Sequence, residues 1–239
     1  MDRMGRILCR DVADYSHSKI LMHCSGEEKQ PMNELLGHIA PWRRTGDERL
    51  HAEGKPVHDD ATLLNFGQWY GSDILNNTES GALAEYIVAQ AIGDKRVTEG
   101  VRETWDFYDV VTSDDAKVEV KSSAYIQTWG QKEEYTPRFD IARKSWDPTP
   151  SNAVRLSDVY IFCLHNRRVT DALYALDPID VSQWDFYILQ TSTLEREVPN
   201  QNSIGIARLN RLGARKVPFD QIRSTICEMI SQSDSTTVT

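Results

Sequence analysis

The chain has 239 residues, 40% hydrophobic and 26% charged, a balance typical of a folded globular protein and not of a disordered one. Its net charge of -9 argues against a protein that coats nucleic acid without specificity, because that activity needs clustered Lys and Arg. No apolar run approaches the roughly 20 residues that span a bilayer, and the N-terminus has no apolar secretion signal, so we expect a cytoplasmic protein without membrane contact.

The chain divides by pattern into three segments. Residues 1–57 carry charge clusters and turn formers without sustained hydrophobic periodicity, which predicts a variable, irregular N-terminal extension. Residues 58–232 contain every periodic segment and are predicted to form one domain. Residues 233–239 are polar and predicted to be a disordered tail.

Two helices are predicted at the start of this domain. The segment Asp59–Leu75 has apolar residues at amphipathic spacing, interrupted by glycines. The second helix is better marked, because Asn76 can act as its N-cap and Gly93 as its C-cap. Within it, Glu85 is flanked by small apolar residues that would let another element approach closely.

Strand signals follow the second helix. Val101–Thr112 and Lys117–Ala124 alternate with period two around the polar turn Ser113–Asp115, which predicts a hairpin. Val159–Leu164 is a short continuous apolar run, typical of a strand buried on both faces. The remaining predicted elements are strands at Tyr174–Leu176 and Trp184–Leu189, a short helix ending near Gly213 and a last helix at Pro218–Ile230. This order predicts an α/β fold with a mixed central sheet flanked by helices.

The hairpin brings together residues that suit catalysis. Glu119 and Lys121 lie on one face of their strand, a pattern that alone is more typical of a plain exposed strand. A three-residue loop, however, pairs Val110 with Val118 and sets Asp109 opposite Glu119. A two-residue loop would set Asp109 against a valine and lose the apolar pairing, so we predict the three-residue register.

In that register the two carboxylates would have Cβ atoms about 4.5–5.5 Å apart. Like charges at such a distance are destabilising unless a cation lies between them or one takes up a proton. Two carboxylates with water suit Mg²⁺, and Lys121 would stand beside the metal to position or deprotonate water, or to stabilise transition-state charge. Asp106 is an alternative to Asp109, but on a regular strand it faces the opposite side.

These residues resemble a known family. A helix carrying Glu85, then a hairpin with Asp109-x₉-Glu119-x-Lys121, then a buried strand, is similar to the PD-(D/E)XK, or restriction-endonuclease-like, nuclease superfamily. The resemblance covers about residues 78–165 and implies an αβββαβ core. It further implies that Asp109 and Glu119 bind Mg²⁺ or Mn²⁺, that Lys121 is the catalytic lysine and that Glu85 is an auxiliary catalytic acid. The proline that names the motif is absent, because Tyr108 precedes Asp109.

The resemblance implies a metal-dependent endonuclease that hydrolyses phosphodiester bonds of DNA, in restriction, defence or repair. A homodimer is compatible with this function, since double-strand cleavage needs two sites. The alternative is a catalytically inactive nuclease-like module for nucleic-acid binding or assembly, which the acidic net charge favours. Weaker candidates for nucleic-acid contact are polar and basic residues near the site, namely Gln127, Arg143, Lys144, Arg167 and Arg168.

Overall fold

The computed structural model describes residues 41–102, 108–145, 153–171 and 175–236. Residues 1–40 of the predicted extension, the alternative acid Asp106 and Tyr174 of the predicted strand lie outside these ranges. The described residues of the segment Pro41–Thr239 form one compact unit. It therefore includes residues 41–57 of the predicted extension, where β1 (His51–Ala52) pairs antiparallel with β2 (Lys55–Pro56).

A five-stranded mixed sheet forms the centre of this unit, which confirms the predicted fold class. In spatial order its strands are β3 (Val110–Val111), β4 (Lys117–Ala124), β6 (Val159–His165), β7 (Trp184–Gln190) and β9 (Arg215–Val217). The central pair β4 and β6 is parallel, and every other neighbouring pair is antiparallel. A separate small sheet pairs β5 (Arg138–Asp140) with β8 (Ser203–Gly205).

Helices pack against both faces of the sheet, α2 (Asn77–Ile92) and α6 (Ile222–Thr236) on one and α4 (Thr191–Glu197) and α5 (Ile206–Arg211) on the other. The described residues also form α1 (Leu63–Gly71) and the short α3 (Arg96–Glu99). The predicted caps of α2 are confirmed: the Asn76 side chain accepts from the first-turn amides, and Gly93 adopts the left-handed conformation with φ of 73°. Within the described ranges, no helix combines the length and apolar character needed to cross a bilayer.

The core has one apolar layer on each face of the sheet. Along β6, Val159, Ile161 and Cys163 belong to the layer packed under α2 and α6. The alternate residues Tyr160 and Phe162 belong to a second layer, shared with β5, β8, α4 and α5. Both faces of β6 are therefore buried, which explains its continuous apolar sequence.

The hairpin adopts the predicted three-residue register. Val110 pairs with Val118 and Val111 with Lys117, and the Thr112 amide donates to the Ala116 carbonyl oxygen at 3.0 Å. Asp115, the last loop residue, has φ of 62°, as expected for a turn closed by a left-handed residue.

Several element boundaries differ from the prediction. The first strand is limited to Val110–Val111 within the described residues, instead of Val101–Thr112. Ala175 and Leu176 are not in a strand, because this segment connects to β7 through short turns. The first helix is confined to Leu63–Gly71, and α6 continues to Thr236, past the predicted domain end at 232.

Candidate active site

The site lies where β4 meets the edge strand β3. Glu119 and Lys121 alternate with Val118 and Val120, which point into the layer under α2. In the parallel pairing Glu119 lies beside Tyr160 and so occupies the opposite, second face of the sheet. Other elements cover this face of the sheet, and the Glu119 side chain is only 1% exposed. The strand is therefore not the plain exposed strand that its pattern alone would favour.

Two ammonium groups contact the buried Glu119 carboxylate. The Nζ atom of Lys121 lies 2.5 Å from Oε1, and the Nζ atom of Lys144 lies 2.8 Å from the same oxygen. Lys144 also donates to Oε2 at 3.0 Å. Lys144 reaches the site from an isolated antiparallel bridge with Val154. The sequence predicted Lys144 as a nucleic-acid contact, whereas the structure places its ammonium on the carboxylate that the motif supplies.

Asp109 is hydrogen-bonded to the backbone of β4 at the edge of the site. Its own amide donates to the Val118 carbonyl oxygen at 3.0 Å, and its Oδ2 atom accepts from the Val120 amide at 2.7 Å. The carboxylate thus binds the amide that lies between Glu119 and Lys121 along the chain. The three motif residues are brought together at one edge of the sheet.

The environment of Asp109 disfavours its charge. Burial raises its pKa, and the negative charge of Glu85 raises it further, against the opposing effects of the Val120 amide, Lys121 and Lys144. The sequence anticipated repulsion between Asp109 and Glu119. In the structure two lysines neutralise Glu119, and Glu85 is the acid that acts on Asp109.

Glu85 approaches Asp109 from α2. Its two carboxylate oxygens accept from Arg102 at 2.6 and 2.7 Å, a bidentate pair. Glu85, Arg102 and Asp109 line one cavity of about 300 Å³ together with Arg96. Glu85 is thus placed next to Asp109, one of the two motif acids.

Lys121 carries its positive charge in this arrangement. Burial lowers its pKa, but the charge and hydrogen bond of Glu119, with the charges of Asp109 and Asp140, outweigh this effect and raise the pKa overall. An ammonium held in this way can stabilise developing negative charge but has no lone pair with which to remove a proton from water.

The other candidates for nucleic-acid contact are dispersed. Arg143 forms an ion pair with Glu195 on α4, and Arg168 forms one with Glu134 at 2.5 Å while stacking over the Tyr125 ring. Gln127 is buried, and its Oε1 atom has no hydrogen-bond partner among the residues that the structure describes; the same holds for the Nε atom of Arg167.

Part of the site was not predicted from the sequence. Arg102 and Asp140 were not considered, and Lys144 was not connected with Glu119. A basic pair at 143–144 was the only available signal for Lys144, and its contact spans 25 residues of chain without a periodic pattern to indicate it.

The donor chemistry of the site suits a hard divalent cation. Asp109 and Glu119 offer carboxylate oxygens, and burial beside Glu85 leaves Asp109 in an environment that a cation would relieve. Within the described ranges, no cluster of three or more His, Cys, Asp or Glu side chains forms a ligand set. The protein would therefore supply two carboxylates and leave the other positions to water or phosphate, as is usual for Mg²⁺. To bind the cation, Glu119 would have to give up its contact with at least one of the two lysine ammonium groups.

Asp109→Asn is expected to stabilise the protein near pH 7. The raised pKa means that the folded state disfavours the charged form of Asp109, which lowers the free energy of unfolding. This loss of stability is absent below the ordinary carboxyl pKa of 3.8 and develops as the pH rises through the raised pKa. The variant amide oxygen can still accept from Val120. Thermal unfolding should give a higher Tm for the variant at pH 7, with convergence near pH 3.5. Asp114→Asn, in the exposed hairpin loop, serves as control. A lower Tm for Asp109→Asn at pH 7 would show that the folded state does not disfavour the charged Asp109 carboxylate.

Two acids and two lysines that meet at the edge of a mixed sheet are groups suited to acid–base and electrostatic catalysis, as in hydrolytic enzymes. Residues 60–206, more than half of the chain, match the family model of bacteriophage T4 endonuclease IV. The chain belongs to this family, and it is therefore a nuclease. The match includes Glu85, Asp109, Glu119, Lys121 and Lys144. No curated protein matches the chain.

Proposed function

We propose that the chain is a Mg²⁺- or Mn²⁺-dependent DNA endonuclease with a site of the PD-(D/E)XK type. The observation that carries the proposal is the meeting of Asp109, Glu119 and Lys121 at one edge of the sheet, within the matched residues 60–206. The hairpin register supports it as well, because the pairing of Val110 with Val118 brings Asp109 beside the strand that carries Glu119 and Lys121. Action in restriction, defence or repair, and a homodimer that cuts both strands, remain predictions.

Asp109 and Glu119 are the residues that would hold the metal. When bound, a divalent cation supplies an activated water and neutralises charge on the scissile phosphate. The chain contributes a rigid frame for this, because Asp109 is fixed by the Val120 amide and Glu119 by its burial in the sheet.

The two lysines have different parts in this proposal. Lys121, 23% exposed, is the more buried of the two and would stabilise negative charge on the phosphate in the transition state. Lys144, 39% exposed, contacts both oxygens of Glu119 and would keep this carboxylate oriented when Lys121 turns to the phosphate. Of the roles that the sequence left open for Lys121, its charged state favours electrostatic stabilisation or positioning of water over deprotonation of water.

Glu85 would act through its charge and through Arg102. The negative charge of Glu85 makes the Asp109 carboxylate costly to ionise. A cation bound at Asp109 would remove this cost, so the two acids together favour binding of a cation. Arg102 holds both oxygens of Glu85 and limits this repulsion when no cation is bound.

The test is cleavage of a panel of DNA forms by the purified protein. Supercoiled plasmid, linear duplex and single-stranded circles are incubated with Mg²⁺, Mn²⁺ or EDTA, and products are resolved on gels. We expect internal cleavage of at least one form with either metal and none with EDTA. Binding of DNA that is unaffected by chelators, without cleavage of any form, would favour the inactive binding module instead.

A further inference from the structure

A basic groove lies on the second face of the molecule, away from α2. It has a volume of about 770 Å³ and is formed by the segment that follows β4, by β5 and β8, and by α5. A neighbouring depression shares Glu134, Tyr135, Thr136 and Arg138 with it, so the two form one continuous surface. Its lining includes four arginines, at positions 138, 168, 208 and 211.

The charge of this groove is opposite to that of the protein. The described lining residues comprise four arginines and one acid, Glu134, which leaves a net charge of +3 in a chain whose overall charge is -9. Such concentration is what recognition of a polyanion requires, and a protein that is acidic elsewhere would direct phosphates to this place.

Three of the four guanidinium groups contact neutral oxygens. Arg138 donates to the Ser203 hydroxyl at 2.9 and 3.3 Å, Arg208 to the Glu197 carbonyl oxygen at 3.5 Å, and Arg211 to the Ala207 carbonyl oxygen at 3.3 Å. Only Arg168, among the four, forms a described ion pair, with Glu134. The charges on Arg138, Arg208 and Arg211 are therefore available to an anionic ligand.

The groove leads to the candidate active site through β5. Side chains alternate along this strand, so Arg138 and Asp140 lie on one face while Phe139 is buried in the core. The charge of Asp140 acts on Lys121, which places the end of β5 next to the site. Arg138 and Asp140 are two residues apart on the strand, a distance of about 7 Å. Nucleotides of one DNA strand are spaced about 3.4 Å apart along the helix axis, so Arg138 lies about two nucleotides from Asp140.

We propose that this groove holds the phosphate backbone of the substrate strand on one side of the scissile phosphate. Arg208 and Arg211, three residues apart on α5, supply two of the phosphate contacts, and Arg138 links them to the site. This inference rests on the proposed function, because it takes the site at Asp109 and Glu119 as the place of cleavage.

The experiment measures DNA binding separately from cleavage. Fluorescence anisotropy of labelled 30-nucleotide single strands and duplexes is recorded in EDTA, between 50 and 300 mM salt, for the full chain. The double variant Arg208→Ala/Arg211→Ala is compared with Arg215→Ala/Arg223→Ala, which removes the same charge from β9 and α6, outside the lining of the groove. Arg208→Lys/Arg211→Lys keeps the charge and controls for lost packing.

We expect the groove alanine variant to raise Kd at least about tenfold and to flatten the slope of log K against log salt by about 1.4–1.8, as for two lost phosphate contacts. The lysine variant should recover most of the affinity, and the control variant should bind like the wild type. Equal losses in groove and control variants, or equal losses with alanine and lysine, would overturn the proposal.

Failure of the groove and failure of the proposed function give different results. If the wild type binds DNA through these arginines but cleaves no DNA form with any metal, the groove stands and the catalytic assignment fails. If the wild type cleaves DNA while the groove variant binds it as tightly as the wild type does, the catalytic assignment stands and the groove is excluded.

Discussion

Lys121→Ala is expected to lower kcat for metal-dependent DNA cleavage by about 10²–10⁴-fold, the range for removal of a positioned charge or proton-transfer group. The Lys121 ammonium lies 2.5 Å from Glu119 and its side chain is only 23% exposed, so the variant loses a positive charge at the site that solvent does not replace. Single-turnover cleavage of a labelled substrate measures the loss directly.

Lys117→Ala is the matched control for this variant, because Lys117 lies on the same strand but is exposed. Its activity should remain close to that of the wild type. The fold of Lys121→Ala is checked by thermal unfolding, since the variant leaves Lys144 to neutralise Glu119. Full cleavage by a folded Lys121→Ala protein would remove Lys121 from the mechanism.

Asp109→Ala is expected to abolish cleavage to below about 10⁻³ of the wild-type rate, because the site would lose one of its two metal ligands and the fixed charge near the phosphate. The Val120 amide would also lose its acceptor, at a cost of about 1–3 kcal/mol. Removal of a carboxylate whose charge the folded state disfavours regains part of this loss of stability.

Asp114→Ala gives the comparison for Asp109, since it removes a carboxylate from the same hairpin at an exposed loop position. Cleavage rates of both variants are measured over a range of Mg²⁺ and Mn²⁺ concentrations. Restoration of the wild-type rate in Asp109→Ala at high metal would show that Asp109 assists affinity only; unchanged activity at all concentrations would refute its role.

The hairpin was predictable because its determinants are local. The polar turn, the valines that pair across it and the period of two are all contained in one short segment, so a single register satisfies them together. The caps of α2 were predictable for the same reason, since Asn76 and Gly93 act on backbone groups next to them in the chain.

Elements that depend on distant partners were missed. The strands β5 and β8 have three residues each, too short for a pattern of period two, and they form because they pair with each other across the chain. Lys144 and Arg208 lie in loops or short helices, where composition does not indicate which way a side chain points. The contact of Lys144 with Glu119 and the basic groove therefore needed the structure.

The sequence predicted that a neighbouring carboxylate repels the charge of Asp109, but it assigned this repulsion to a different residue from the one found in the structure. The sequence placed Glu119 opposite it as the repelling charge, which the strand register alone would suggest. In the structure Glu119 is compensated by two lysines from other positions, and Glu85 reaches Asp109 from α2. Register determines which backbones are neighbours, but the charge balance at a site depends on every element packed against it.

Calorimetric titration of the purified protein with Mn²⁺ and Mg²⁺, beside Asp109→Ala, tests most directly whether the Asp109 and Glu119 carboxylates form a metal site. We expect saturable binding of about one ion per chain to the wild type, and affinity at least about tenfold weaker in Asp109→Ala. Equal affinity in both proteins, or no binding to the wild type at concentrations that support cleavage, would mean that these carboxylates do not form the metal site.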